Sequence, residues 1–206
     1  PHLAPPRPAY RSREIRRYAA FGATPDMPEY PLPGITIHYY LPDGTSEATI
    51  DILEDDGQLV RSFVSGTGPA PGRARPIGAM SIDQLERTVY PRLDVGQGMH
   101  RFVWDLRHAG SWDERPDRSG QDGPLAEPGE YQVRLTVGDW TSTESFQLRM
   151  DPRLEADGVS SADLKAQFDL SRDVAQALSE ARLAAAQIEE VRSGIEQGPR
   201  SQLDEV

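Results

Sequence analysis

From Ile35 onward, apolar and polar residues alternate with period two. Ile35, Ile37, Tyr39 and Leu41 share one face while Thr36, His38 and Tyr40 share the other, which predicts a half-buried strand closed by Pro42-Asp43-Gly44. A second strand, with Ala48, Ile50 and Ile52 on one face, meets a third over 59–64 through Asp55-Asp56-Gly57, where Asp-Gly supplies the positive φ of a two-residue hairpin. Phe102, Trp104 and Leu106 then alternate. Tyr131, Val133, Leu135 and Val137 follow the turn Pro128-Gly129, and Phe146, Leu148 and Met150 follow Gly138-Asp139. Short strands separated by turn signals predict a small antiparallel β-sandwich, with Trp104, Phe102, Leu106 and Tyr131 in its core. Between them lie a Gly/Pro-rich loop at 66–78, a short helix at 81–90 within an insertion, and a polar loop at 108–126.

Beyond Asp151-Pro152 the period changes. Leu164, Phe168, Ala175, Leu178, Ala181, Ala185, Ile188 and Val191 recur at helical spacing, and Ser160 with Asp163 forms a capping-box signature. From 162 to 195 only Gly194 interrupts a run free of Pro and Gly, and Gly198-Pro199 ends it. A helix of that length spans roughly 50 Å. It overshoots a sandwich of about 100 residues, so the stripe holding Leu164, Phe168, Leu178 and Ile188 is expected to pack on another helix. That partner is either a segment following Val206 or a symmetric copy, the latter giving a homo-oligomer.

Residues 1–34 carry prolines at 5, 6, 8, 25, 28, 31 and 33 and a basic run of Arg11, Arg13, Arg16 and Arg17. Proline at that density forbids a long helix or a central strand. The segment reads as an extended arm whose Tyr10, Tyr18, Phe21 and Tyr30 dock on a neighbouring surface. The chain thus divides into a proline-rich arm at 1–34, a sandwich at 35–152 and a helical segment at 153–206: mainly β with an α appendage.

Composition narrows the function classes. A net charge of -11 argues against the phosphate-neutralising surface of a nucleic-acid binder and against attraction to an anionic membrane. No run of about 18 apolar residues provides a membrane span, and no signal peptide is evident. A chain opening on Pro1 rather than Met reads as a mature or excised product. The absence of cysteine removes disulfides, thiolate metal ligands and thiol nucleophiles, and suits a cytosolic or an exported bacterial protein.

Candidate chemistry is sparse. Asp105, Asp113, Glu114, Asp117 and Asp122 fall in or beside one loop, but acid–base work on a glycoside needs two carboxylates with split pKa values facing one bond. A solvated acidic loop is the simpler reading, and no catalytic residue is assigned. Asp117, Ser119 and Asp122 offer alternating oxygen ligands around a glycine turn, a calcium candidate that misses the EF-hand spacing. His2, His38, His100 and His108 never pair at i, i+4, and His38 and His100 are expected on outward strand faces. No G-x-S-x-G elbow, P-loop or G-x-G-x-x-G is present, so no cofactor is implied. Trp112, in a polar loop, and Trp140, at a turn, are the candidate ligand-binding aromatics, with folding back over the sandwich edge as the competing role.

Leu41-Pro42, Gly57 with Val60-Arg61, Trp104-Asp105 and Pro128-Gly129-Glu130-Tyr131 together resemble the FlgD-type immunoglobulin-like domain over roughly 35–150. The wider frame, with a proline-rich arm before HYYLP, then WDLR, RLTV, RMDPR and a helix opening on DLKAQFDL, is similar to the C-terminal region of exported bacterial proteins with sortilin-like, BNR-repeat β-propellers, often labelled glycosyl hydrolase-like. The resemblance implies an antiparallel immunoglobulin-like β-sandwich followed by a long amphipathic helix, exported to the periplasm or beyond. It implies a non-catalytic accessory domain whose partner is the propeller of the same parent, with any hydrolase chemistry in that propeller. The alternative it leaves is a carbohydrate-binding module using Trp112 and Trp140. The segment from Met80 to Arg92 departs from the family pattern.

Overall fold

A computed structural model describes residues 1–11, 34–65, 93–115 and 119–197. The chain is mainly β, with two facing sheets and a long C-terminal helix. The strands are β1 (His2–Leu3), β2 (Ala9–Tyr10), β3 (Ile35–Leu41), β4 (Thr49–Glu54), β5 (Leu59–Val64), β6 (Gly98–Trp104), β7 (Gly129–Val137) and β8 (Trp140–Arg149). The helices are α1 (Pro152–Ala156) and α2 (Ser161–Gln197). One sheet has the order β1-β3-β6, and the other, which is curled, has the order β2-β8-β7-β4-β5. All neighbours are antiparallel except β2, which runs parallel to β8.

Alternation sets the core. The inward residues of β3 (Ile35, Ile37, Tyr39, Leu41) face those of β4 (Ile50, Ile52), β7 (Tyr131, Val133, Leu135) and β8 (Phe146, Leu148), and all are buried. Trp104 is fully buried, its ring 5.5 Å from that of Tyr131 and 6.1 Å from that of Phe146. Its indole N–H donates to the Arg107 carbonyl at 2.9 Å, so the one polar atom of the ring is satisfied inside the core. The Tyr131 hydroxyl donates back to the Glu127 carbonyl at 2.9 Å, fixing the entry to β7.

Several sequence expectations need correction. Leu106 is buried but lies outside β6, at φ 61, so the chain has already left the strand when this side chain enters the core. Strict alternation also fails at the end of β6, where Phe102, Val103 and Trp104 are all buried. The turn between β4 and β5 is a four-residue connection, not a two-residue hairpin. The Gly57 N–H donates to the Glu54 carbonyl at 3.0 Å, and the Glu54 N–H to the Gln58 carbonyl at 2.9 Å. Gly57 takes the left-handed position at φ 85, and the register shifts between Ile52 and Leu53. The connection from β7 to β8 is the two-residue one, with Val137 opposite Trp140.

The boundary at residue 34 also moves. Residues 1–11 are part of the sandwich: β1 extends the smaller sheet beside β3, the prolines between cross the seam, and β2 extends the larger sheet beside β8. Leu3 and Pro6 are buried. Two-residue edge strands flanked by proline are compatible with the missing N–H groups, because an edge has one unpaired side. The remainder of the arm (12–33), the predicted helix at 81–90 and the segment beyond 197 lie outside the described residues.

Candidate functional site: the long helix and its root

Helix α1 links the sandwich to α2. Asp151 caps it, accepting from the Arg153 N–H at 2.9 Å, with Pro152 at the first helical position. Gly158 at φ 83 closes it, with Val159 N–H donating to the Leu154 carbonyl at 2.9 Å and Gly158 N–H to the Glu155 carbonyl at 3.0 Å. Ser160 and Asp163 then cap α2 reciprocally: Ser160 N–H donates to the Asp163 carboxylate at 2.8 Å, and Asp163 N–H to the Ser160 hydroxyl at 3.2 Å. The Ser160 hydroxyl donating to the Asp163 carboxylate at 2.6 Å, followed by the Ser160 N–H, holds that carboxyl below its ordinary value.

The first half of α2 is bolted to the sandwich. Leu164 and Phe168 are buried, and the His108 ring lies 4.7 Å from that of Phe168. Burial, followed by the nearby Arg172 charge, lowers the His108 pKa to about 4, so the imidazole is neutral at neutral pH. Arg11 is buried at the same junction. Its Nε donates to the Ala126 carbonyl at 2.8 Å and its NH2 to Gln167 Oε1 at 3.0 Å, tying the N-terminal strand, the loop before β7 and α2 together. Farther along, the Trp112 N–H donates to the Ser179 hydroxyl at 2.9 Å. Arg182 NH1 donates to the Ser111 hydroxyl at 3.0 Å and the Trp112 carbonyl at 3.1 Å, and lies 3.4 Å from the Asp113 carboxylate.

The loop that makes these contacts is itself folded, which corrects its reading as a solvated acidic segment. Its arms are joined by His108 N–H to the Pro124 carbonyl at 2.9 Å, Gly110 N–H to the Gly120 carbonyl at 2.9 Å and Gly120 N–H to the Ser111 carbonyl at 3.0 Å. Gly110 and Gly123 pass so close to the opposite arm that a Cβ on either would overlap its backbone. Two of the carboxylates, Asp105 and Asp113, are engaged as struts. Asp105 pairs with Arg61 at 3.2 Å and accepts from the Arg107 N–H at 3.2 Å, while burial raises its pKa against those favourable contacts. Asp113 lies between Arg182 and Arg115, while Glu114 is exposed.

The other sequence candidates are placed as follows. Trp112 is half-buried with its backbone bonded to α2, and Trp140 opens β8 half-buried against the core; they sit on different elements. In the calcium candidate, Asp117 lies outside the described residues, the Ser119 hydroxyl accepts from the Asp113 N–H at 3.2 Å, and Asp122 adopts φ 54. Among the described residues, no group of three His, Asp or Glu side chains converges as metal ligands. His38 is exposed as expected, whereas the His100 ring stacks on Tyr39, with centroids 5.1 Å apart. Among the described residues, no helix is long and apolar enough to cross a membrane. Between α1, α2 and residues 122–125 lies a groove of about 720 Å³. Two of its arginines are engaged with carbonyl groups, Arg107 on Gly123 at 2.8 Å and Arg11 on Ala126.

The expected single apolar stripe on α2 is two stripes. Leu164, Phe168, Ser171, Ala175, Ser179, Arg182 and Ala186 form the less exposed face. Leu170, Val174, Ala177, Ala181, Ala184, Ile188, Val191 and Ile195 lie about 150° away around the helix and are exposed, Ile188 to 68%. Of the four interface residues expected from sequence, Leu164 and Phe168 are therefore covered by the chain itself, while Leu178 and Ile188 remain exposed. The hydrophobic period alone merged the stripes, because the inward face is completed by polar residues, of which Ser179 and Arg182 hydrogen-bond to the loop. No family model, curated protein or solved structure matches the chain.

Proposed function

We propose that this chain is a non-catalytic accessory module: an immunoglobulin-like sandwich that grips the root of a long helix and presents the helix's outer stripe to a helical partner. The observation that carries the reading is the two-faced helix. One face is bonded to the sandwich as far as Arg182, and an apolar stripe continues from Leu170 to Ile195 on the exposed side. A stripe of that length on a protein surface marks an interaction site.

The strand order supports the immunoglobulin-like part. With β2 as an added edge strand, the orders β1-β3-β6 and β8-β7-β4-β5 are those expected of strands A-B-E and G-F-C-C′, and the Tyr131 hydroxyl bonded to Glu127 resembles a tyrosine corner at the start of strand F. The sequence resemblance to the C-terminal regions of exported sortilin-like propeller proteins supports the wider role we propose: bracing or positioning the parent's propeller, or mediating assembly.

Two measurements test the module. Truncation after Leu183 should leave the sandwich folded, with its thermal midpoint shifted by no more than about 2 °C, and the chain should neither hydrolyse model glycosides nor be retained on insoluble polysaccharide. Collapse of the sandwich on truncation overturns presentation by the helix. Retention lost in Trp112→Ala or Trp140→Ala, or turnover lost in Asp113→Asn, replaces the reading with a glycan-directed one.

A further inference from the structure

Resting on that reading, we infer that the occupant of the outer stripe is a second copy of this chain, docked antiparallel in a single register. Leu170, Val174, Ala177, Ala181, Ala184, Ile188, Val191 and Ile195 are spaced alternately four and three residues apart. That is an uninterrupted a/d heptad seam, about 37 Å long at 1.5 Å per residue. The sandwich-facing stripe lies nearly opposite, so the seam can close without either sandwich intervening.

The side chains select the direction. A parallel, in-register pair would stack Ala177, Ala181 and Ala184 each on its own copy, leaving three successive layers of methyl groups and a hollow centre. The antiparallel register that brings Leu170 opposite Ile195 also brings Val174 opposite Val191 and Ala177 opposite Ile188, so large meets small at the flanks of the centre. Only Ala181 opposite Ala184 is small on small, and those layers let the two backbones approach closely. The flanking positions agree. In that register Glu180 faces Gln187, Asp173 faces Gly194, Ser171 faces Arg192 and Leu178 faces Ala185, so no like charges meet across the seam. Antiparallel macrodipoles add to the preference. The sandwiches then sit at opposite ends and on opposite sides of the pair.

The test uses the whole chain, whose lack of cysteine makes single-cysteine variants unambiguous. Light scattering should report twice the chain mass. Ile188→Glu should return a single-chain mass with helical circular dichroism retained, and Leu183→Glu, an equally apolar change at an exposed site off the seam, should leave the pair intact. A disulfide needs Cα atoms within about 7 Å. Oxidising a mixture of Val174→Cys and Val191→Cys proteins should therefore cross-link the two to each other, while neither cross-links alone, because its own copies lie about 25 Å apart along the axis. Self-links in each variant alone overturn the antiparallel register. A single-chain mass for the wild type at all concentrations overturns self-association, yet leaves helix presentation standing if truncation after Leu183 is tolerated. Dissociation by Leu183→Glu as strong as by Ile188→Glu overturns the seam itself.

Discussion

The two halves of α2 both carry alanine and large aliphatic residues, and they serve different ends. From Leu164 to Arg182 the helix touches its own sandwich through a buried Leu-Phe pair, a neutral histidine, and serine and arginine bonds to a folded loop. From Leu183 to Ile195 the large apolar side chains are all exposed. An isolated helix of about a dozen residues is marginal in water, so the projecting half depends on the anchored half for its nucleus. The sandwich therefore acts as a clamp that allows an exposed stripe to remain helical before any partner arrives.

The largest break in the comparison comes from the clamp. Trp104→Ala should cost about 3 to 5 kcal/mol, because the indole fills the space between both sheets and satisfies the Arg107 carbonyl. Denaturant unfolding should show sheet and helix signals lost together, and retention of the helical signal after sheet loss would show that the helix does not need its clamp. Phe168→Ala comes next, at about 3 kcal/mol. It should expose the groove side of the loop and raise hydrogen exchange across 164–182 more than across β7 and β8. Equal protection in variant and wild type would mean that Phe168 is not the bolt.

Much of the sandwich was legible because each strand is buried on one face only, and a half-buried strand writes its own period into the sequence. The stop expected at Gly198-Pro199 lies outside the described residues, while the start of the helix was equally plain from Ser160 and Asp163. Three things were not. The strands at His2–Leu3 and Ala9–Tyr10 are too short to show alternation. Arg11 sits at the head of a basic run that resembles a solvated arm, yet its guanidinium is buried by partners far away in sequence. The order of the loop's two arms, 107–115 and 119–126, arises from the approach of Gly110 to the other arm at Gly123, a contact that local pattern does not encode. Helix α1, by contrast, carried a readable signal in Asp151-Pro152 and Gly158 that alternation-based reading passed over.

Acid should loosen the anchored half before it touches the projecting one. The folded His108 pKa of about 4 lies below the ordinary 6.5, so the unfolded chain binds more protons between those values and stability rises with pH across that window. The contribution is complete above pH 6.5 and is lost progressively as pH falls toward 4. Asp105 and Glu54, raised chiefly by burial, act with the opposite sign lower in the range. The difference between wild type and His108→Phe therefore isolates the histidine, since phenylalanine keeps the ring against Phe168 but cannot charge. Stability profiles that run parallel from pH 7 to pH 4.5 would contradict this account of the junction.

The smallest effect belongs to the free end. Ile195→Ser, measured at a dilution where chains are single, should change unfolding free energy by no more than about 0.5 kcal/mol. The side chain is already 67% exposed, so little buried surface is lost, and serine and isoleucine differ little in helix propensity. The same substitution should weaken association at higher concentration, because Ile195 closes the outermost layer of the seam against Leu170. Stability and association thus separate at this position, whereas at Phe168 they should fall together. A cost above about 1 kcal/mol in the single chain, with the denaturant slope unchanged, would place Ile195 against the sandwich in solution and erase the distinction between the two halves.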